Sequence, residues 1–199
     1  MKNGLVCTLA VMLIVGCKES NEPNAAVVEQ PSVISHIEKT LELVAELKAQ
    51  ETIDDQLRLL YERFEPMLDR SDSLTGVDEN KDGIRDDIEA FIDALEVTEP
   101  VRKALKQNAH FTQENLYHDF SQKTDANIKK ALYISDKYDK VIACKEFVGI
   151  DVDDRINTSN TITALTYNTK ARTMAYLAYN HLQDGSVSTH LPAEAKYCE

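Results

Sequence analysis

Glycine, basic side chains and long apolar runs are all scarce in this chain. Six glycines in 199 residues leave no glycine-rich phosphate loop, and no Gly-x-Ser-x-Gly elbow occurs. Lysine and arginine number 22 against 34 acidic side chains, a formal net charge of −12. A surface so poor in cations repels polyphosphate backbones and anionic lipid headgroups, so nucleic acid is excluded as a partner and cations or cationic proteins are favoured. The five histidines show no His-Glu-x-x-His spacing. His110 and His118, eight apart, carry no partner pattern for zinc. The longest apolar stretch, Leu5 to Val15, is about half of the roughly 20 residues that span a bilayer.

That stretch follows Lys2 and stops before Lys18-Glu19, which matches the charged and apolar regions of a cleavable export signal. Ile14-Val15-Gly16-Cys17 resembles the lipobox of bacterial lipoproteins. The resemblance implies that Met1–Gly16 is removed and that Cys17 is acylated on sulfur and then on its new amino terminus. The competing reading is an ordinary secretory signal with a cysteine beside its cleavage point. Several acyl chains anchor a protein stably without spanning the membrane, since each buried methylene contributes about 0.8 kcal/mol. By resemblance to sorting in Gram-negative envelopes, Lys18 after the lipidated cysteine implies the outer membrane. Residues 17–31, polar and with two prolines, read as a flexible tether. Residues 32–199 are long enough for one domain with its own core.

With Cys7 discarded and Cys17 lipidated, Cys144 and Cys198 remain. An even pair in an oxidising compartment predicts a disulfide that staples the C-terminus to a helix, contributing roughly 4 kcal/mol through loop-closure entropy. Neither cysteine has the Cys-x-x-Cys spacing of a redox or metal pair.

The rest reads as all-α, an irregular bundle of about six helices, because no alternation of apolar and polar residues is sustained between turn signals. Ser35 to Glu38 resembles a capping box, and Ile34, Ile37, Leu41 and Val44 form one stripe. Ile53, Leu57, Leu60, Phe64 and Met67 form a second, so the two helices are expected to pack as an antiparallel hairpin ended by Pro66. Ile88, Phe91, Ile92 and Leu95 predict a third helix. Thr98 and Pro100 start a fourth, burying Val101, Leu105, Leu116, Tyr117 and Phe120. Asp125 caps a fifth, with Ile128, Leu132, Tyr138, Val141, Ile142 and Phe147 on its face and Cys144 near its end. A last helix is expected over 160–183, with Ile162, Leu165, Met174, Leu177 and Leu182 as its apolar side and Gly185 as its stop. Tyr167, Tyr176 and Tyr179 read as buried rings whose hydroxyls reach the surface rather than as an aromatic cage.

Between the second and third helices, Asp78-Glu79-Asn80-Lys81-Asp82-Gly83-Ile84-Arg85-Asp86-Asp87-Ile88-Glu89 satisfies the D-x-[DN]-x-[DN]-G-x5-E pattern of an EF-hand loop. Asp78, Asn80 and Asp82 offer side-chain oxygens and Gly83 permits the turn. Ile84 supplies a carbonyl, Asp86 ligates directly or through water, and Glu89 closes the site with two oxygens. Such a hard oxygen set suits calcium better than magnesium. Two features depart from paired EF-hands. The eighth position is Arg85 where an apolar residue is usual, and Asp151-Val152-Asp153-Asp154 lacks the glycine and distal glutamate of a second loop, reading instead as an acidic turn. The turn-rich approach from Ser71 to Gly76 predicts that no incoming helix abuts the loop. The competing reading is a metal-free, Asp-rich turn capping the helix that begins near Asp86.

Gly76-Val77-Asp78 to Glu89, with Asp86-Asp87 before a helix and Asn168-Thr169-Lys170-Ala171-Arg172 near the C-terminus, resembles a family of uncharacterised lipoproteins and exported proteins of gammaproteobacteria. The resemblance implies no activity. The sequence therefore points to a lipid-anchored envelope protein with one structural calcium site, binding an envelope partner or serving as an accessory subunit. The competing class is an envelope hydrolase in which an acid near Asp86 or Asp87 borrows the calcium. A concave pocket beside the metal is what would separate the two.

Overall fold

The computed structural model describes residues 32–199; the signal segment, Cys17 and the tether to residue 31 lie outside them. Seven α-helices and no strand occur among the described residues: α1 Leu41–Lys48, α2 Ile53–Phe64, α3 Asp86–Ala94, α4 Glu99–Glu114, α5 Asp125–Phe147, α6 Val152–Thr166 and α7 Lys170–His181. The all-α expectation holds, with one helix more than expected. None of the described helices is long and apolar enough to cross a membrane.

The extra helix comes from the expected 160–183 segment, which is two elements. Tyr167 ends α6, Asn168 is drawn aside by a hydrogen bond to Asp69 O (3.1 Å), and the Thr169 side chain caps α7 by accepting from Arg172 N (3.3 Å). A cap residue fitted to a helix start beats a continuous apolar period there. The break turns α7, so Met174 and Leu177 are exposed rather than buried.

The N-terminal expectation also needs correction. Ser35–Glu38 does not start a helix. Thr40 caps α1 instead, accepting from Leu43 N (3.2 Å). Ile34 and Ile37 are buried from a non-helical segment, tied by Ile34 N to Met67 O at 2.9 Å, while Leu41 is 92% exposed. With only eight residues, α1 forms no long seam, and α2 packs chiefly on α6. Asp151–Asp154 is the start of α6 rather than a separate acidic turn. Asp151 caps it, and the Asp154 carboxylate reaches α2, accepting from Ile53 N (2.9 Å) and Asp54 N (3.1 Å). Two orphan donors of one helix are thus satisfied by another about 100 residues away.

Pro66 ends α2 in a 3-10 turn at Glu65–Met67, and Pro100 sits in the first turn of α4. Thr124 rather than Asp125 caps α5, and Tyr138, Phe147 and Tyr117 are largely exposed. The main core joins Leu57 and Leu60 of α2, Ile88, Phe91 and Ile92 of α3, Leu105 of α4 and Ile162 of α6. A smaller cluster of Phe120, Ala131, Ile134, Tyr179 and Leu182 lies between α5 and α7. Cys144 of α5 is bonded to Cys198 with the Cα atoms 5.0 Å apart, and Gln107 Nε2 donates to Tyr197 O (2.9 Å). The C-terminus is therefore stapled to a helix, as the cysteine arithmetic predicts.

Candidate functional site

The segment joining the 3-10 turn to α3 has no helix against its N-terminal side. Three left-handed residues shape it, Gly76 (φ 69°), Lys81 (φ 60°) and Gly83 (φ 84°). At Gly83 the requirement is double, because a Cβ would also lie 2.6 Å from His110 Cδ2. The side chains fold back onto the loop's own amides. Asp78 accepts from Asp82 N (3.2 Å) and Gly83 N (3.0 Å), Asn80 Oδ1 from Asp82 N (3.1 Å), and Asp82 Oδ1 from Ile84 N (2.9 Å). Asp86 N donates to Val77 O (2.9 Å) while its carboxylate accepts from Glu79 N (3.1 Å), tying the loop's two ends.

Glu89 is brought to the loop by the first turn of α3, where Asn80 Nδ2 donates to it at 3.0 Å and to Asp82 at 3.1 Å. Asp78, Asn80, Asp82 and Glu89 thus form one hydrogen-bonded group, with Asp86 joined through Glu79 N. Every oxygen is hard, and an amide and a main-chain carbonyl are among the six expected ligands, a donor set that fits calcium. Lys106 of α4 engages Glu89 (2.7 Å) and Asp93 (2.8 Å). Burial, with Asp82 and Asp93 nearby, raises the Glu89 pKa despite Lys106. Among the described residues no group of three or more His, Cys, Asp and Glu side chains is gathered closely enough to hold a metal ion. In the arrangement seen, the Asn80 amide and Lys106 occupy carboxylate oxygens that a cation would need.

Arg85, which departs from the EF-hand pattern, points into the protein and is fully buried. Its guanidinium meets Asp87 with two bonds (2.5 and 3.0 Å) and donates to Leu165 O (2.9 Å) and Thr166 O (3.3 Å) of α6. The same Asp87 accepts from Asp69 N (2.8 Å). Arg172, equally buried, donates to Asp69 O (2.5 Å), Ser73 O (2.8 Å) and Leu74 O (3.0 Å), and its guanidinium lies 3.4 Å from the Asp69 carboxylate. Burial works against charge at Asp69, but hydrogen bonds from Ser71, then Arg172 and Arg85, hold its pKa below the usual range.

Two arginines and two aspartates therefore pin the approach and the loop to α6 and α7. Gly76 completes the clamp, since a Cβ there would lie 2.3 Å from Arg85 Cδ. Sequence reasoning missed this cluster, although Gly76, Arg85, Asp87, Asn168 and Arg172 all stand in the segments quoted for the family resemblance. Their chemistry is positional, because a bidentate Arg–carboxylate pair orders backbone without needing any ligand.

Beside the loop lies a depression of about 340 Å3 lined by Thr75, Gly76, Asp78, Lys81, Gly83 and Tyr117. Asp78 is its one carboxylate, with the Tyr117 hydroxyl 3.3 Å away. Asp87 is consumed by Arg85, and Asp86 is buried against Glu79 N, so neither offers a free carboxylate there. No family model, curated protein or solved structure matches this chain.

Proposed function

We propose that the chain is a lipid-anchored lipoprotein of the bacterial envelope, held through acylated Cys17, whose loop 78–89 binds one calcium ion as a structural brace for a non-enzymatic binding or accessory role. The observation carrying the calcium reading is the hydrogen-bonded group of Asp78, Asn80, Asp82 and Glu89, in a loop turned by left-handed backbone at Lys81 and Gly83. Asp86 and the carbonyl of Ile84 complete the ligands. The buried pair of Arg85 and Asp87 fixes the loop's C-terminal half from beneath, so occupancy orders the exposed half only. A lone loop of this kind binds in the range of about 0.1 to 1 mM typical of extracellular modules. Linkage at one to ten times the dissociation constant then gives about 0.4 to 1.4 kcal/mol, which orders a loop without driving a large switch.

Calorimetric titration of the purified protein with calcium, magnesium as control, tests the site. One calcium-selective event, lost in an Asp78→Ala, Glu89→Ala double variant, supports it, and silence at several millimolar calcium overturns it. The anchor has its own test, since Cys17→Ser moves the protein out of the membrane fraction if the cysteine carries lipid.

A further inference from the structure

A second concavity lies away from the loop, where α4, α5, α6 and α7 meet. It has a volume of about 340 Å3, within the range of small-molecule sites. In a chain that is 28% charged, not one of its lining residues carries a charge. Amides and hydroxyls alternate with rings, Tyr167 stacking on Tyr176 (centroids 4.6 Å) and Phe111 lying against Tyr138 (5.4 Å).

Two lining residues, Asn115 and Tyr179, are 2% and 4% exposed, and Asn115 Oδ1 and the Tyr179 hydroxyl are closed off behind the wall. The amide orientation of Asn115 is forced. The Tyr167 hydroxyl spends its proton on Thr112 O (2.6 Å), so Asn115 Nδ2 must donate to both Thr112 O (2.9 Å) and that hydroxyl, leaving its own oxygen facing elsewhere. The polar groups that a guest can reach are the exposed or half-buried side chains of Ser135, Asn160, Thr163 and Asn180. Behind the lining, Lys145 Nζ is sealed from solvent by Asn108 (3.1 Å), Thr158 and Ser159 (2.8 Å each) and Arg155 O (2.8 Å). Enclosed by those four oxygens, it is denied to an anionic guest.

We propose that this crevice binds a neutral, hydroxyl-rich ring of monosaccharide size. A sugar hydroxyl both donates and accepts, so one guest can pair with the amides of Asn160 and Asn180 and the hydroxyls of Ser135 and Thr163, and its C–H face packs on the tyrosine rings. Tyr167 stacks on Tyr176 and Phe111 tilts against Tyr138, so each ring faces a neighbouring ring, which is the wrong arrangement for caging a quaternary ammonium. The proposal is independent of calcium and of the lipid anchor.

With no tryptophan in the chain, tyrosine fluorescence reports on the crevice directly. The purified protein is titrated with glucose, galactose and N-acetylglucosamine to about 20 mM, well past a millimolar dissociation constant, with saturation-transfer NMR alongside and with choline and glucuronate as controls. Saturable binding of at least one neutral sugar, about tenfold tighter than either control, is expected. Tyr176→Ala and Ser135→Phe, both at half-buried positions and read by saturation-transfer NMR, weaken that binding about tenfold or abolish it, while far-UV circular dichroism stays helical and the calcium response is retained. No neutral-sugar binding, which would mean a water-filled crevice, overturns the proposal. So does equal binding of choline or glucuronate, or binding indifferent to both variants.

Discussion

Two buried cations in this protein are solvated in opposite ways. Arg85, beneath the loop, has a carboxylate of its own in Asp87, and a second pair, Arg172 with Asp69, stands beside it. Lys145, behind the crevice, has four neutral oxygens and no contacting carboxylate. Ion pairing fixes backbone where the chain is irregular, and neutral solvation keeps a helix-lined cavity free of charge. The difference separates a region built to hold a loop still from one built to accept an uncharged guest.

The largest effect is expected where charge compensation is removed. Arg85→Met leaves Asp87 buried without a cation and costs about 3–5 kcal/mol in urea unfolding, whereas Arg85→Met with Asp87→Leu recovers most of the loss. If the double variant is as unstable as the single one, the pair's contacts to the α6 carbonyls rather than its charge hold the loop. Reduction of the Cys144–Cys198 disulfide comes next, at about 2–4 kcal/mol, and frees the C-terminus without touching either buried cation.

Lys145 sharpens the comparison through pH. Burial lowers its pKa to about 7 from an ordinary 10.5. Across that window the unfolded chain binds the proton that the folded one has released, so stability rises with pH, and below pH 7 the burial cost is fully present. A gain on the order of 2 kcal/mol between pH 7 and 10, absent in Lys145→Met, is the expected result of thermal melts. Above pH 10 the trend reverses, because burial raises the Tyr167 and Tyr179 pKa values and only the unfolded phenols ionise there. A flat profile would show that the four oxygens hold the ammonium charged as firmly as Asp87 holds Arg85. Smallest is the calcium effect, about 1 kcal/mol of added stability at saturating calcium and none in the Asp78→Ala, Glu89→Ala variant.

Local chemistry was legible where it acts within a few residues. Thr98 and Pro100 starting α4 and Pro66 ending α2 are both short-range events. The errors share one cause. Ile34 and Ile37 have helical spacing with Leu41 but reach the core from a non-helical segment tied to Met67, and the apolar period from Ile162 to Leu177 runs straight through a chain break made by Asn168 and Thr169. Periodicity records which residues are apolar, while caps and distant hydrogen-bond partners choose where the helix stops. Helical spacing marks the tyrosines as core rings with wet hydroxyls. Their rings are packed, but Tyr167 and Tyr179 keep their hydroxyls inside, on the wall of a cavity.

The sequence by itself determined the all-helical class and the oxygen-rich loop before α3, because each depends on residue type at fixed short spacing, while the Cys144–Cys198 pairing followed from counting only on the lipobox reading of Cys17. Tertiary structure alone decided that Arg85 turns inward to Asp87, that Asp154 caps a helix about 100 residues away, and that amides and tyrosines from four helices converge on a charge-free crevice. Those outcomes depend on which buried polar groups find partners across the fold, and a partner far away in sequence leaves no local trace.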